Sequence, residues 1–243
     1  MAKKKRVETS AQTPVQDIKP SHMGYKVNLK CKTKKQKELV KEIEENQITF
    51  VEGVFGVGKT FVINSVALQM LKENPDIEKI ILIFPTREIG SMTLGLLPGN
   101  LSEKLENYAL NELDSMRKIL DKSGNENPNI IIDSLLSSGK IEIRPISYLR
   151  GASLEKAFIC VSEAEEFTKE ELFMILTRFE GGKMVISGDP LQADRNNIKN
   201  GNSGLLHGIN RLKGVKGVGI IQFSEDDIVR NDILLDIYKK WKD

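Results

Sequence analysis

Residues 53–60 read Gly53-Val54-Phe55-Gly56-Val57-Gly58-Lys59-Thr60, a Gly-x-x-x-x-Gly-Lys-Thr run set between a strand-like and a helix-like segment. Ile48-Thr49-Phe50-Val51-Glu52 is dense in β-branched and aromatic residues, which favours a strand. Phe61–Glu73 carries Val62, Val66, Leu68 and Leu71 as a helix would. Strand, glycine-rich turn and helix together make a phosphate-binding loop. Gly53, Gly56 and Gly58 let the backbone wrap around phosphates with its N–H groups inward, and the helix N-terminus adds positive field. Lys59 is expected to place its ammonium on the β- and γ-phosphates, and Thr60 its hydroxyl on Mg²⁺. The nucleotide contacts expected here run from Gly53 through Val54, Phe55, Gly56, Val57, Gly58, Lys59 and Thr60 to Phe61.

The rest of the chain alternates in the same way. A helix is expected over Thr33–Glu45, with Thr33 as N-cap and Gln36 in the capping-box position. The apolar run Lys79–Phe84 predicts a strand buried on both faces, Ala157–Val161 another buried strand, and Lys183–Ser187 and Gly217–Phe223 two further strands. Ile141–Ile143 predicts a further strand, and Val27–Leu29 a short edge strand. Helices are expected over Ser102–Leu120 (whole or in two pieces), near Ile130–Ser137, over Lys169–Arg178, up to Leu212, and over Ile228–Trp241. The reading is an α/β domain, a mainly parallel sheet sandwiched by helices, whose ligands sit beyond the carboxyl ends of the strands.

Three more segments fall at such strand ends. Ser162-Glu163-Ala164-Glu165-Glu166 follows Ala157–Val161. Glu163 is placed to act as general base on an attacking water. Ser162 stands where such enzymes put the aspartate that supports Mg²⁺; its hydroxyl can bond a metal-bound water but adds no charge. Glu165 and Glu166 read as acids favoured at a helix N-terminus. Ser187-Gly188-Asp189-Pro190-Leu191-Gln192 ends the next strand, and Gln192 can touch a γ-phosphate or the attacking water. Arg230, read as lying in the first turn of the last helix, could reach a transferring phosphate in its own subunit or a neighbour's, or simply pair with nearby carboxylates.

Composition narrows the setting. The 243 residues suffice for one full core, and no run approaches the roughly 18 apolar residues of a membrane span. The only cysteines are Cys31 and Cys160, which excludes a disulfide framework and favours a reducing compartment. Residues 1–24 read as a disordered basic tail and linker, with Lys3-Lys4-Lys5-Arg6 open also to reading as an import signal or a nucleic-acid arm. The folded domain is expected over 25–243.

Taken in order, these segments resemble the PhoH family of single-domain, RecA-like P-loop ATPases. The specific carriers are Gly90-Ser91-Met92-Thr93-Leu94-Gly95-Leu96-Leu97-Pro98-Gly99, Arg144-Pro145-Ile146-Ser147-Tyr148-Leu149-Arg150-Gly151, Lys183–Gln192, Ser203-Gly204-Leu205 and Asp227-Ile228-Val229-Arg230. The compact length resembles phage versions of the family, which would place the protein in a host cytoplasm. The resemblance implies ATP and Mg²⁺ as cofactors and ATP hydrolysis coupled to RNA or single-stranded nucleic acid. It also implies a homo-oligomer, with a hexameric ring in view, in which Arg230 is an arginine finger acting across subunits. By the same analogy Gln36 reads the adenine edge, Gln192 senses the γ-phosphate, and Arg87 and Arg150 contact the nucleic-acid backbone. The chain departs from the family's Asp-Glu-Ala-Gln at Ser162-Glu163-Ala164-Glu165, so a nucleotide-gated binding or assembly protein with weak or no hydrolysis is the rival reading. A duplex-unwinding motor ranks below both, since superfamily 1 helicases use two motor domains and one is expected here.

Overall fold

The computed structural model describes residues 24–85, 101–194, 198–231, 233, 235–237 and 240. The expected tail before Gly24, Arg87 and the Gly90–Gly99 signature lie outside the described residues.

Six strands form one sheet: β1 (Ile48–Gly53), β2 (Lys79–Phe84), β3 (Ile141–Pro145), β4 (Ala157–Val161), β5 (Gly182–Gly188) and β6 (Val218–Phe223). Their order is β3-β2-β4-β5-β1-β6, and every pairing is parallel. β4 is apolar along its whole length, and β2 and β5 through their buried middles, because both faces are covered, and successive side chains serve opposite cores. Ile80, Leu82, Phe158, Cys160 and Val185 pack on one side; Ile81, Ile83, Ile159, Met184 and Ile186 pack on the other. The first side is roofed by helices α1 (Lys34–Glu45), α2 (Lys59–Glu73), α3 (Leu101–Lys122) and α4 (Pro128–Ser137). The second is covered by α5 (Lys169–Leu176) and α6 (Gly204–Leu212). This is the RecA-like α/β arrangement expected of the P-loop. With all strands parallel, their carboxyl ends share one rim, and β5 places its end between those of β1 and β4.

Local chemistry accounts for the boundaries. Thr33 Oγ1 accepts from the Gln36 amide at 3.1 Å and starts α1. Thr168 and Glu171 close a reciprocal capping box that starts α5. At the edge, β3 carries Glu142 paired with Lys79 at 2.8 Å, a charge that discourages further strand addition.

Two expectations are corrected. Residues 24–31 form no strand: the Lys26 and Asn28 amides donate to Asn125 Oδ1 and Ser123 Oγ, each at 2.8 Å, so side chains beyond α3 replace a strand partner. The last helix does not begin at Ile228. A 3-10 turn over Glu225–Asp227, closed by Ser224 and Asp227, gives way to a non-helical stretch through Asn231. Asn231 Oδ1 then accepts from the Ile233 amide at 3.2 Å, a capping contact that delays the helix. Arg230 therefore precedes that helix instead of lying in its first turn. α3 is unbroken from Leu101 to Lys122.

Candidate functional site

The glycine-rich loop leaves β1 at Gly53 and enters α2 at Lys59. Val54 and Val57 are buried in the core, so the loop is anchored by side chains and leaves its backbone to face the strand ends. Gly56 (φ +78°) and Gly58 (φ +86°) are left-handed, which glycine adopts without penalty. A Cβ on Gly58 would also stand 2.8 Å from Gln36 Nε2. No side chain caps the first turn of α2 and no acidic residue lies in it. Fifteen residues of helix dipole thus end on amides open to an anion, an arrangement that fits a polyphosphate.

Three groups hold this loop. Gln36 is buried; its Nε2 donates to Val57 O at 2.9 Å and its Oε1 accepts from the Lys32 amide at 2.7 Å. It therefore does not close the reciprocal capping box expected of it at Thr33. Lys59 Nζ donates to Val54 O at 3.0 Å and also to Gly53 O. From the far side, the Val229 amide donates to Gly56 O at 3.1 Å. That bond puts Arg230 beside the loop of its own chain, its Cβ 3.4 Å from where a Cβ on Gly56 would lie. Phe61, half-buried, has Lys122 Nζ 5.2 Å above its ring. Thr60 is the second residue of α2 and half-buried.

The acidic segment reaches the same rim. Glu163 adopts φ 54°, ψ 44°, a left-handed conformation rare for a residue with a side chain and costing about 1–2 kcal/mol. Such strain persists where the surroundings impose it, and it gathers at functional sites. Glu165 and Glu166, expected as acids favoured at a helix N-terminus, are buried. Glu165 Oε2 accepts from the Asp189 amide at 3.1 Å, and Glu166 Oε1 from the Asp194 amide at 2.6 Å. The two carboxylates pin the acidic segment to the loop after β5. A Cβ on Gly188 would fall 2.4 Å from Glu165 Oε2, so that glycine is what lets the carboxylate in. Asp189, itself buried, accepts from the Leu191 amide at 3.1 Å and from Gln192 Nε2 at 2.8 Å, which orients the exposed Gln192.

Charge couples these parts. Burial pulls the Lys59 ammonium below its ordinary range, while Asp189 and Glu165 pull it back. Burial pushes Glu165 up to about 7, with hydrogen bonds and Lys59 opposing. A proton is therefore held in the folded state after the unfolded chain has lost it, and stability falls as pH rises between about 4.5 and 7. Glu165→Gln keeps an acceptor for the Asp189 amide and removes the titration. Denaturant unfolding at pH 5 and pH 7.5 is expected to show wild type losing about 1–3 kcal/mol more than the variant over that interval.

An open cleft of about 470 Å³ lies beyond β1, β5 and β6, with Gly53, Asp189, Leu191, Phe223 and Glu225 in its walls. Among the described residues no cluster of three or more histidine, cysteine or acidic side chains could hold a metal alone. Mg²⁺ needs only one or two protein groups beside phosphate oxygens, and Thr60 and Ser162 offer hydroxyls of the right kind. Arg150 is exposed on the turn after β3, which two strands separate from β5, and no described contact ties it to this centre.

Sequence reasoning passed over Glu112. Its side chain is 6% exposed on α3, and it accepts from Ser162 Oγ at 2.6 Å through Oε1 and from Asn64 Nδ2 through Oε2. Burial pushes its carboxyl up, and those two donors oppose the rise. The signal was present: Ala109, Leu113, Met116 and Leu120 make an apolar helical stripe, and Glu112 falls on it.

The model of the family described as PhoH-like protein matches residues 28–242. The chain belongs to this family. A PhoH-like protein of Bacillus subtilis is 34% identical over 242 residues, covering 99% of this chain and 72% of the relative. One from Synechocystis is 34% identical over 215 residues, covering 88% of this chain and 62% of the relative. Among solved structures, the Pif1 helicase of Candida albicans matches with TM-score 0.41 and 12% identity, over 88% of this chain and 44% of that one. In this PhoH-like chain the site joins the loop after β1, the acidic turn after β4, the Asp189–Gln192 turn and the Val229–Arg230 segment.

Proposed function

We propose that this PhoH-like domain is an ATPase whose turnover is coupled to RNA or single-stranded nucleic acid. The observation that carries the reading is the uncapped start of α2, with Lys59 at its mouth and left-handed glycines before it. Phosphates seat on those amides, Lys59 exchanges the Gly53 and Val54 carbonyls for phosphate oxygens, and Gln36 keeps one amide hydrogen for the adenine edge. Thr60 and Ser162 would hold Mg²⁺ through their hydroxyls, and the ion would supply charge against the phosphates. Glu163 orients the attacking water, Gln192 touches it or the γ-phosphate, and positioning and electrostatics carry most of the chemistry. Arg230 is exposed and free to extend; its tie to Gly56 favours its own chain's γ-phosphate, and a homo-oligomeric ring would offer a neighbour's as well. The free thiols of Cys31 and Cys160 suit a reducing cytoplasm, and no described helix is long and apolar enough to cross a membrane.

Ser162 favours a second reading, a nucleotide-gated binding or assembly protein that hydrolyses slowly, because an uncharged group supports the metal less well. The nucleic-acid part rests on Arg150, Arg87 and the basic N-terminus. ATP turnover measured with single-stranded RNA, single-stranded DNA and no polymer tests it. A several-fold stimulation at low salt, falling steeply as salt rises, is expected. Equal rates in all three arms would remove the coupling.

A further inference from the structure

The geometry points to Glu112 as a positioning residue that, together with Ser162, takes the place of the aspartate at the end of β4. The inference rests on the nucleotide site proposed above and concerns how that site supports its metal.

A serine hydroxyl has one hydrogen and two lone pairs. Free to rotate, it can turn either toward an approaching group. Here the hydrogen is committed: Ser162 Oγ donates to Glu112 Oε1 at 2.6 Å, and the second carboxylate oxygen is held by Asn64 Nδ2 from α2. What Ser162 Oγ has left to offer is acceptor capacity. The waters on a magnesium ion are strong donors, and an acceptor is what the aspartate of other P-loop enzymes supplies to them. The carboxylate thus stands one hydrogen bond behind the rim, on α3, and the hydroxyl passes its acceptor character forward.

The placement is a built one. Glu112 is 6% exposed, in the middle of the apolar stripe of α3, where an unpaired acid is strongly disfavoured. Both of its oxygens are engaged by side chains from α2 and from the end of β4, the two elements that frame the phosphate loop and the acidic turn. Asn64 lies on the helix that begins with Lys59, so the carboxylate also links the metal-supporting hydroxyl to the phosphate-binding helix. The backbone of Ser162 is fixed independently, its amide donating to Ile83 O at 3.1 Å, so only the side chain remains to be oriented.

The test separates metal support from nucleotide binding. Binding of a fluorescent ATP analogue is titrated with EDTA present, and again across a Mg²⁺ series, for wild type and five variants. Glu112→Gln is expected to leave the EDTA affinity within twofold and raise the Mg²⁺ concentration for half-maximal effect by about 10-fold or more, the scale on which partners of metal-supporting groups act. Ser162→Ala is expected to do the same, and Ser162→Ala/Glu112→Gln no worse than either alone. Ser162→Asp alone sets two carboxylates against each other, whereas Ser162→Asp/Glu112→Gln gives the new aspartate an amide partner and is expected to restore the wild-type Mg²⁺ response. A purely structural role for Glu112 gives no such rescue. The inference is overturned if Glu112→Gln leaves the Mg²⁺ response unchanged, or if the Ser162→Asp/Glu112→Gln variant responds no better than Glu112→Gln. Failure of wild type to bind the analogue even with EDTA would overturn the nucleotide site itself, and this inference with it.

Discussion

Lys59→Ala is expected to weaken ATP binding by about 10- to 100-fold while leaving the fold intact. One charge-assisted hydrogen bond is worth about 1.5–3 kcal/mol, and each 1.4 kcal/mol is a factor of ten. Within the chain the ammonium satisfies the Gly53 and Val54 carbonyls and partly balances Asp189 and Glu165. Removing it also lifts the desolvation that pulls its titration down, so these effects on folding oppose one another. The loop keeps its other supports, the Gln36 bond to Val57 O and the Val229 bond to Gly56 O. Calorimetric titration with ATP, paired with a thermal melt, reads both halves. Unchanged affinity in a folded variant would show that the loop does not receive the triphosphate, and the proposed function would fall.

How far the sequence could be read follows from where each signal is local. The strands β2 and β4 are legible to the residue because a parallel strand covered on both faces needs an uninterrupted apolar run, and Ile80–Phe84 and Ala157–Val161 provide one. The phosphate loop is legible because its glycines, lysine and flanking elements are contiguous. Val27–Leu29 has strand composition, yet the Lys26 and Asn28 amides are met by Asn125 and Ser123, nearly a hundred residues away, and no local pattern announces that. The start of the final helix turns on a capping competition between Ser224 and Asn231, which periodicity does not resolve. Glu165 and Glu166 look like ordinary acids after a strand; only the approach of the loop after β5 makes them buried struts. Glu112 is the instructive case, since its misfit to an apolar stripe is visible in the sequence while its partners Ser162 and Asn64 come together only in the fold.

Glu163→Gln is expected to lower ATP turnover by about 100- to 10,000-fold with ATP affinity held, the range that a positioned proton acceptor contributes. Glutamine keeps the size and hydrogen-bonding reach of the side chain but cannot take a proton, and it tolerates φ 54° no worse than glutamate. Glu163→Gly makes the comparison sharper. The left-handed backbone costs a residue with a Cβ about 1–2 kcal/mol that glycine escapes, offset by about 0.4–1 kcal/mol of extra freedom in the unfolded chain. The backbone change is therefore neutral to favourable, and the glycine variant is expected to be just as inactive as Glu163→Gln. A strained backbone that carries an acidic side chain at a strand end fits a chemical role. Steady-state phosphate release and thermal melts on wild type and both variants measure this. Turnover in wild type that both substitutions abolish supports the hydrolase. Tight ATP binding with no turnover in wild type supports the nucleotide-gated binding protein instead, and Glu163 would then need another reason for its conformation.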